Sequence, residues 1–451
     1  MKKRLSPQTL RAFKMSLPIF VELLLQLLVG NVDQIMLSHV AQSSVAAVGN
    51  GNQVMTVVII VLDAMSAATT ILMTQYIGAK EENQCGRVCA ASFVIVGAFS
   101  LAAGVFLLCW PGALFSLLRT PEEAFYEAVL YTRVVGGAVI IQGFYFVFCA
   151  ALRSFSLLRE VMLSAVVMNV VNICGNAVLI NGLFGAPRLG VLGAAISPDL
   201  SKILGLCLVM WVFHKRCGIR LKWSLLRPFP ADMVKKLLSV STPAGVESLS
   251  YNVSQIFILR FINLMGTTVI ATKVYASIFA NVAYVYTIAI AQATQILIGY
   301  LLGAERRDEV DPRVWSTTRI ALFAGELLTL LIFLFADPLY SIFTPDPAIH
   351  ALGKQILLVE FFLEIGRAVN IVMVRSLTAA GDVWYPVIVG FFSMWLVAVL
   401  GGWLLGDVAD FGLVGIWVAM ACDECFRAVL FVFRFRHGDW RKKRLIDAPV
   451  S

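Results

Sequence analysis

Charged residues are scarce in this chain. Only 14% of its 451 residues are Asp, Glu, Lys or Arg, and 59% are hydrophobic. A soluble chain of this length usually carries about 25% charge. Histidine is limited to four residues, and neither a Walker A motif nor a Ser-His-Asp or zinc-hydrolase pattern occurs. These absences argue against a soluble enzyme and an ATPase. We expect no enzymatic activity and no cofactor.

The nine cysteines suggest no disulfide framework, because most lie inside apolar runs. Cys422 and Cys425 have metal-ligand spacing, but no second pair accompanies them. A cleavable signal sequence is not expected either. The first apolar run, 17–37, is too long for one and contains Glu22 and Asp33.

The hydrophobic residues are gathered into runs of about 20, which match the thickness of a bilayer core. Gly, Pro or charged residues separate twelve such runs, and the pattern predicts an all-α integral membrane protein. The predicted spans are 17–37, 51–77, 90–110, 125–150, 161–181, 191–213, 237–262, 269–299, 317–336, 352–374, 384–405 and 412–433.

Basic residues predict the orientation of the chain, whose net charge is +8. Clusters of Lys and Arg precede the first run, occupy 214–236 and follow the last run. Because each cluster flanks an apolar run, the positive-inside rule explains them better than nucleic-acid binding does. We therefore expect both termini to be cytoplasmic and no nucleic acid to be bound.

The same residues appear twice in the same order. Separated by 225 positions are Pro18 and Pro243, Glu22 and Glu247, Gly78-Ala79 and Gly303-Ala304. Separated by 222 positions are Arg153-Ser154 and Arg375-Ser376, Gly190-x-x-Gly193 and Gly412-x-x-Gly415. A duplicated bundle of membrane helices is the simplest source, and it is typical of secondary transporters.

The duplication predicts two six-helix lobes, at 1–213 and 237–433. The polar stretch 214–236 is predicted to be a cytoplasmic linker, and 434–451 a basic cytoplasmic tail. Since six is even, both lobes enter the membrane from the same side. An axis along the membrane normal then relates them, with a substrate path between.

Asp33 is the strongest functional candidate, because ionisable groups inside a membrane are costly. It lies deep in the first span, and its repeat counterpart is Ile258. The shared fold therefore does not demand an acid there. An unpaired carboxylate in apolar surroundings can exchange a proton or coordinate Na⁺, and this is the one metal ion we expect. The alternative is a structural carboxylate, hydrogen-bonded to a neighbouring helix.

Three asparagines in the fifth span add polar character near this position. Asn169, Asn172 and Asn176 follow at spacings of three and four, so they share one helix face. At a shift of 222, their repeat partners are the apolar residues Phe391, Met394 and Ala398. Amide oxygens facing Asp33 would suit a cation site or a protonation switch. Hydrogen bonding between helices is the alternative.

Four other acids are candidates for an ion or substrate site in the second half or near the first helix. Glu22 and Glu247 each follow a proline by four residues. One alternative is that both acids have a structural role near a kinked helix start. The other is that they face each other across a cleft. Glu360, Glu364 and Arg367 line one helix face of the tenth span. A structural ion pair and a substrate contact are both consistent with that spacing.

Further charged residues occur in the second, eighth and last spans. Lys273 has the apolar repeat partner Val48 and either lines the cavity or lies near the outer surface. Asp63 is similar, since its counterpart Ile288 is also apolar. Asp423, Glu424 and Arg427 are within reach of one another and are predicted to form a local pair near the cytoplasmic end.

Several motifs resemble the multidrug and toxic compound extrusion (MATE) family, over about residues 12 to 435. They are Pro18-x-x-x-Glu22, Val32-Asp33-Gln-Ile-Met36, Ala46-Ala-Val48-Gly, Gln75-Tyr-Ile-Gly-Ala79-Lys80, Leu152-Arg153-Ser154, the Asn172 to Asn176 stretch, Gly190-Val-Leu-Gly193-Ala-Ala, Pro243-x-x-x-Glu247 and Gly303-Ala304.

The resemblance implies a V-shaped fold of twelve helices that exports organic cations in exchange for H⁺ or Na⁺. It also implies that Asp33, Asn172 and Asn176 form the coupling-ion site of the N-terminal lobe. Glu247 would be an ion ligand of the C-terminal lobe, as in some branches of the family. The expected setting is a bacterial cytoplasmic membrane, with a monomer as the functional unit.

The chain departs from the family pattern at two places. Many members have an aspartate where this chain has Asn176, which removes a negative charge and leaves H⁺ and Na⁺ open as the coupling ion. The family's tenth-helix aspartate has no match, although Glu360 and Glu364 lie nearby.

Three other functions are consistent with parts of the pattern. A lipid-linked oligosaccharide flippase of the same superfamily would line its cleft with basic residues. The candidates are Arg133, Lys202, Arg260, Lys273 and Arg367. A channel or receptor would need no ion-coupled cycle, and the Asp/Asn cluster argues against it. A membrane enzyme would use paired acids such as Glu360 and Glu364.

Overall fold

The computed structural model describes residues 7–38, 41–219 and 221–446, without the side chains of residues 7–9, 29–35, 38 and 223. The described residues form helices and turns, and no strand occurs among them. Position 33 lies within the first helix, but the Asp33 side chain is outside the described residues.

Six helical spans follow one another in the first half of the chain. They are α1 (Pro7–Ser38), α2 (Gln42–Gly78), α3 (Glu82–Cys109), the pair α5 (Glu122–Gly137) and α6 (Val139–Ser154), α7 (Leu158–Asn181) and α8 (Val191–Arg216). The pair α5 and α6 is bent by 44°. A short helix, α4 (Pro111–Leu117), precedes this pair.

The second half repeats this order. Its spans are α9 (Ala231–Asn263), α10 (Thr267–Gly303), α11 (Val310–Leu334), α13 (Pro347–Ala379), α14 (Trp384–Ser393) with its continuation, and α16 (Gly412–His437). The helix begun by α14 continues through two π-helical segments, Met394–Val399 and Leu404–Val408, on either side of α15 (Leu400–Trp403). The short α12 (Ala336–Ser341) follows α11.

Each of the twelve predicted spans coincides with one of these helical spans, although 90–110 runs one residue past the end of α3 and 317–336 runs past the end of α11 into α12. By length and apolar composition alone, seven of the described helices can cross a membrane, or eight if the bent pair is one span. The charged helices α9, α13 and α16 are not among them. They contribute the ionisable residues of the second half that are described below.

The helices pack into two compact units. One unit is Val21–Thr242, and the other contains the described residues up to Phe20 and those from Pro243 onward. Helix α1 therefore contributes to both units. The lobe, linker and tail boundaries predicted from the sequence stay a prediction.

The turns that end corresponding helices repeat the same geometry. After α2, the Lys80 N–H donates to the Ile77 carbonyl over 3.1 Å, and after α10 the Glu305 N–H donates to Leu302 over 3.1 Å. Lys80 and Glu305 have φ angles of 60° and 57°. Because such angles are uncommon outside glycine, their recurrence 225 positions apart supports a shared fold.

The turns after α6 and α13 correct one part of the sequence alignment. The Leu157 N–H donates to the Leu152 carbonyl, and the Asp382 N–H donates to Leu377, both over 2.9 Å. The shift between these turns is again 225, rather than 222.

The predicted match of Arg153 with Arg375 is therefore wrong by three residues, and Thr378 occupies the position that corresponds to Arg153. The shift becomes 222 only where α8 and α16 begin, at Gly190 and Gly412, with φ angles of 54° and 56°. The loop before α16 is shorter than the loop before α8, which accounts for the change. The repeat partners predicted at a shift of 222 for Asn169, Asn172 and Asn176, which precede this point, are therefore wrong as well.

The chain does not extend freely after α16. Gly438, with a φ of 75°, ends the helix, and a 3-10 helix, Asp439–Lys442, follows. Trp440 within it is fully buried and stacks on Phe435, with 5.2 Å between ring centroids. This segment is therefore part of the packed second unit.

Candidate functional site

The three predicted asparagines lie together on the buried face of α7. Asn169, Asn172 and Asn176 are 7%, 4% and 0% exposed. Their common face confirms the spacing argument. Whether Asp33 lies opposite them stays a prediction, since its side chain is outside the described residues.

Helix α8 packs closely against this face through Ser197. The Ser197 hydroxyl donates to the Asn172 carbonyl over 2.8 Å, and the Asn172 amide nitrogen lies 3.5 Å from the same hydroxyl oxygen. A Cβ on Gly175 would lie only 2.4 Å from that oxygen. Glycine at this position therefore permits the contact that fixes Asn172.

Two side-chain atoms on this face lack partners within the part of the chain that the structure describes. They are Asn172 Oδ1 and Asn169 Nδ2, both buried. A buried amide oxygen without a donor is costly. Asn172 Oδ1 can therefore accept a hydrogen bond from a protonated carboxyl or serve as a ligand to a hard cation such as Na⁺.

Glu22 is held in an ion pair within the first unit. Arg153 Nη2 donates to Glu22 Oε1 over 2.6 Å, and the Glu22 side chain is 2% exposed. Of the two roles predicted for Glu22, the geometry therefore favours the structural one.

Glu247, the repeat counterpart of Glu22, has a different environment. It is half-buried on α9, and no ion pair involves it among the described residues. A Cβ on Gly390 of α14 would lie 3.1 Å from Glu247 Oε1, so glycine leaves room for the carboxylate. The carboxylate of Glu247 is thus available to a ligand.

Glu360, Glu364 and Arg367 form the face of α13 that their spacing predicts. Arg367 Nη1 lies 2.8 Å from Glu360 Oε1 and 3.0 Å from Glu364 Oε2. Trp417 Nε1 donates to Glu360 Oε2 over 2.7 Å, and the Thr287 hydroxyl donates to Glu364 Oε1 over 2.9 Å. Both acids are buried and fully hydrogen-bonded.

A second cluster lies on α16. Arg427 Nη2 lies 2.6 Å from Asp423 Oδ2 and 2.8 Å from Glu424 Oε1. Asn370 Nδ2 donates to Glu424 Oε2 over 2.6 Å, and the Ser393 hydroxyl donates to Asp423.

The expectation that this cluster lies near one end of the last helix is wrong. Asp423 falls near the middle of α16, because the helix extends from Gly412 to His437. Sequence analysis also missed Asn370. Its position three residues after Arg367 continues the polar face of α13 and could have revealed it.

The two clusters border a small cavity within the second unit. Its lining includes Tyr251, Gln255, Arg367, Asp423 and Glu424. The two clusters together hold four carboxylates and two guanidinium groups, of which Asp423, Glu424 and Arg367 line the cavity. When all are ionised, the acids outnumber the bases by two, so the region favours cations over anions.

Lys273 and Asp63 are not brought into either cluster. Lys273 is half-buried on α10, and no ion pair involves it in the described part of the chain. Asp63 is exposed on α2. Within the described part of the chain, the His, Cys, Asp and Glu side chains form no group of three or more that could hold a metal ion.

These features define a multi-pass membrane protein built from two repeated helical units, each with its own buried polar cluster. A model of the MatE family matches residues 18–178 and 243–404, once in each half. The chain belongs to the MatE family, whose members are transporters.

Similar proteins match over nearly the whole chain. An uncharacterized transporter, YisQ of Bacillus subtilis, is 34% identical and covers 98% of this chain and 97% of its own. The probable multidrug resistance protein NorM of Thermotoga maritima is 27% identical, covering 96% of this chain and 93% of its own.

A solved structure described as MATE in the bent conformation is similar in fold. It has a TM-score of 0.88 at 20% identity and covers 97% of this chain and 99% of its own. The fold class predicted from the sequence, twelve helices in two repeated halves, is confirmed by this match.

Proposed function

We propose that this transporter is a cation-coupled antiporter that exports organic cations by alternating access. The observation that carries the proposal is the buried Asn172 Oδ1, which has no donor among the described residues and shares a helix face with Asn169 and Asn176. A proton held by Asp33, or a Na⁺ ion, would supply the missing partner.

The proposed cycle uses Asp33 as the switch. Asp33 is deprotonated or ion-free while the substrate is bound. A proton or Na⁺ then binds at Asp33, Asn169, Asn172 and Asn176, alters the packing of the first unit and lowers substrate affinity. The ion can drive this change only because it binds one state more tightly than the other.

The excess of acids in the second unit supports organic cations as substrates. Asp423 and Glu424, with Arg367 and Tyr251, line a cavity that is only water-sized, so the support comes from its charge and not from its volume. The relative named as a probable multidrug resistance protein is consistent with small-molecule cargo. Glu247, which has no ion pair among the described residues, is the second candidate for a coupling or substrate contact.

The flippase alternative is less well supported, because a pyrophosphate would need uncommitted basic groups. Arg367 is held by two acids, and Lys202 lies 3.7 Å from Asp199. Arg133 and Arg260 are exposed. Of the five basic residues predicted to line a flippase cleft, this leaves the half-buried Lys273 to bind a pyrophosphate.

The proposed setting is a bacterial cytoplasmic membrane with both termini in the cytoplasm. The basic segments before α1, between α8 and α9, and after α16 support this orientation. The repeated halves each supply a cluster of their own, so a monomer is proposed as the functional unit.

Uptake of ethidium into proteoliposomes, under a pH gradient alone or a Na⁺ gradient alone, tests the proposal. Flux driven by one gradient and abolished in Asp33→Asn is the expected result. Asp232→Asn is the matched control. This substitution also removes a carboxylate, but the Asp232 side chain is 50% exposed and forms a surface pair with Arg87.

Three outcomes separate the alternatives. Loss of flux in Asp33→Asn, with Asp232→Asn unaffected, supports the coupling site and identifies the ion. Flux that survives in Asp33→Asn contradicts that site and favours Glu247. Absence of any gradient-driven flux contradicts the antiporter and favours the flippase.

A further inference from the structure

Helix α11 has an exposed apolar face that ends in a basic residue. Its exposed residues recur every three or four positions, so they lie on one side of the helix. They are Arg319, Phe323, Leu327, Leu331 and Leu334. Phe323 is 72% exposed and Leu334 65%, values that suit contact with lipid tails in a membrane helix. Arg319 is the member of this face closest to the start of α11.

Helix α16 has a similar exposed apolar face, but its basic residue lies toward the end of the helix rather than toward its start. Phe426, Val429 and Phe433 are 49%, 66% and 60% exposed, and Arg436 follows at the same spacing. Two faces that suit contact with lipid therefore each terminate in an arginine.

Both arginines contact Trp315, Arg436 at its ring and Arg319 at its backbone carbonyl. The Arg436 guanidinium carbon lies 5.2 Å from the centroid of the Trp315 ring. Arg319 Nε donates to the Trp315 carbonyl over 3.2 Å, so the guanidinium is turned toward the start of α11. A long basic side chain turned toward a helix end is expected where a helix leaves the hydrocarbon core.

Neither arginine is neutralised by a carboxylate within the described residues. Neighbouring arginines, in contrast, are paired with acids: Arg434 with Asp382 over 2.8 Å, and Arg441 with Asp311. Arg319 and Arg436 thus leave two positive charges available, one over the indole ring of Trp315 and one at its backbone carbonyl. Tryptophan is itself typical of the membrane interface.

We propose that Arg319, Arg436 and Trp315 form a binding site for the headgroup of an anionic phospholipid. The two guanidinium groups hold the phosphate by charge-assisted hydrogen bonds. The exposed faces of α11 and α16 receive the acyl chains. Those apolar faces lead directly to the arginines, and they select a lipid over a soluble phosphate. This site is separate from the ion and substrate clusters.

The test measures lipid binding by the purified full-length protein. Thermal stabilisation is compared in detergent supplemented with phosphatidylglycerol or with phosphatidylcholine of the same acyl chains. Phosphatidylglycerol should stabilise the wild type more. In R319Q/R436Q, the apparent affinity for phosphatidylglycerol should fall roughly 30-fold. Each basic residue near the headgroups contributes about 1 kcal/mol, and the variant removes two of them.

K442Q/K443Q is the matched control, because it also removes two positive charges, at the end of the 3-10 helix that follows α16 and at the residue after it. Lys442 is 85% exposed and is not on either apolar face. This variant should keep the preference for phosphatidylglycerol. If both double variants lose it equally, net charge rather than a site is responsible, and the proposal fails.

Two further measurements distinguish a lipid site from a site for soluble phosphate, and a loss of binding from a loss of folding. Glycerol phosphate at the same concentration should not stabilise the wild type; equal stabilisation would contradict a lipid site. If R319Q/R436Q unfolds, R319K/R436K keeps both charges and should retain most of the phosphatidylglycerol effect. Loss of the effect in this folded variant would also overturn the proposal. These measurements do not depend on transport.

Discussion

Arg153 neutralises Glu22 across 2.6 Å in the first unit, whereas the corresponding position in the second unit holds Thr378. Thr378 cannot neutralise Glu247, the repeat counterpart of Glu22. Arg375, the nearest arginine along α13, lies three residues earlier, which is about 4.5 Å along the helix axis. The duplicated acids therefore differ in charge balance.

Arg153→Gln should destabilise the protein strongly, because it leaves the buried Glu22 carboxylate unpaired. The expected loss is about 3 kcal/mol, measured by thermal unfolding of the purified protein in detergent. E22Q/R153Q should recover most of it. Arg87→Gln breaks a pair whose side chains are 38% and 50% exposed and should cost less than about 1 kcal/mol. Equal losses in Arg153→Gln and Arg87→Gln would contradict a buried pair.

Glu247→Gln should impair transport while leaving the fold intact. Its carboxylate has no ion pair to lose among the described residues, so the melting temperature should change little. Ethidium uptake should fall about tenfold if one charged contact of about 1.4 kcal/mol is removed. Glu22→Gln should show the reverse pattern, with stability lost first. Wild-type uptake in a folded Glu247→Gln protein would exclude Glu247 from the transport cycle.

Gly193→Ala should destabilise the packing of α8 against α7. A Cβ there would lie 2.7 Å from the carbonyl carbon and oxygen of Leu179, and backbone atoms cannot move aside easily. The expected cost is about 1–3 kcal/mol. Gly49→Ala in α2 is the control, since no described atom outside its own stretch of helix lies within 4 Å of its Cβ position. Because alanine favours helix more than glycine, Gly49→Ala should be neutral or stabilising; equal melting temperatures for the two variants would refute the argument.

Trp417→Phe should weaken the cluster on α13, because Trp417 Nε1 is the donor to Glu360 Oε2 over 2.7 Å. Leaving a buried, charged acceptor unsatisfied costs about 1–3 kcal/mol. Trp395→Phe is a comparable change, but its Nε1 donates to the neutral Ser250 hydroxyl over 3.1 Å. Thermal unfolding should show the larger loss in Trp417→Phe. A larger loss in Trp395→Phe would mean that ring packing, rather than the hydrogen bond, determines the effect.

Much of the fold could be predicted from the sequence because membrane helices leave a strong signal. Runs of apolar residues fixed the twelve spans, and spacing alone placed Asn169, Asn172 and Asn176 on one face. The same argument joined Glu360, Glu364 and Arg367, which lie within seven residues of one another. Contacts along a single helix follow from helical geometry.

Contacts between helices could not be predicted in this way. Trp417 and Ser393 reach the acids from other helices, and no spacing in the sequence links them to Glu360 or Asp423. The alignment of Arg153 with Arg375 failed for a related reason. The alignment relied on the identical Arg-Ser pairs, whereas the correct register is defined by the turns after α6 and α13, whose geometry is not visible in the sequence.

The two π-helical segments that follow α14 have a consequence for how this helix meets its surroundings. One row of its exposed apolar residues recurs every four positions, as Ile388, Phe392, Leu396, Leu400, Leu404 and Val408. In a regular α-helix a four-residue period turns by about 40° at each step, so this row would wind about 200° around the axis. Wider π turns absorb that rotation. The loosened winding at Met394–Val399 and Leu404–Val408 keeps one continuous apolar strip on a single side of the rod.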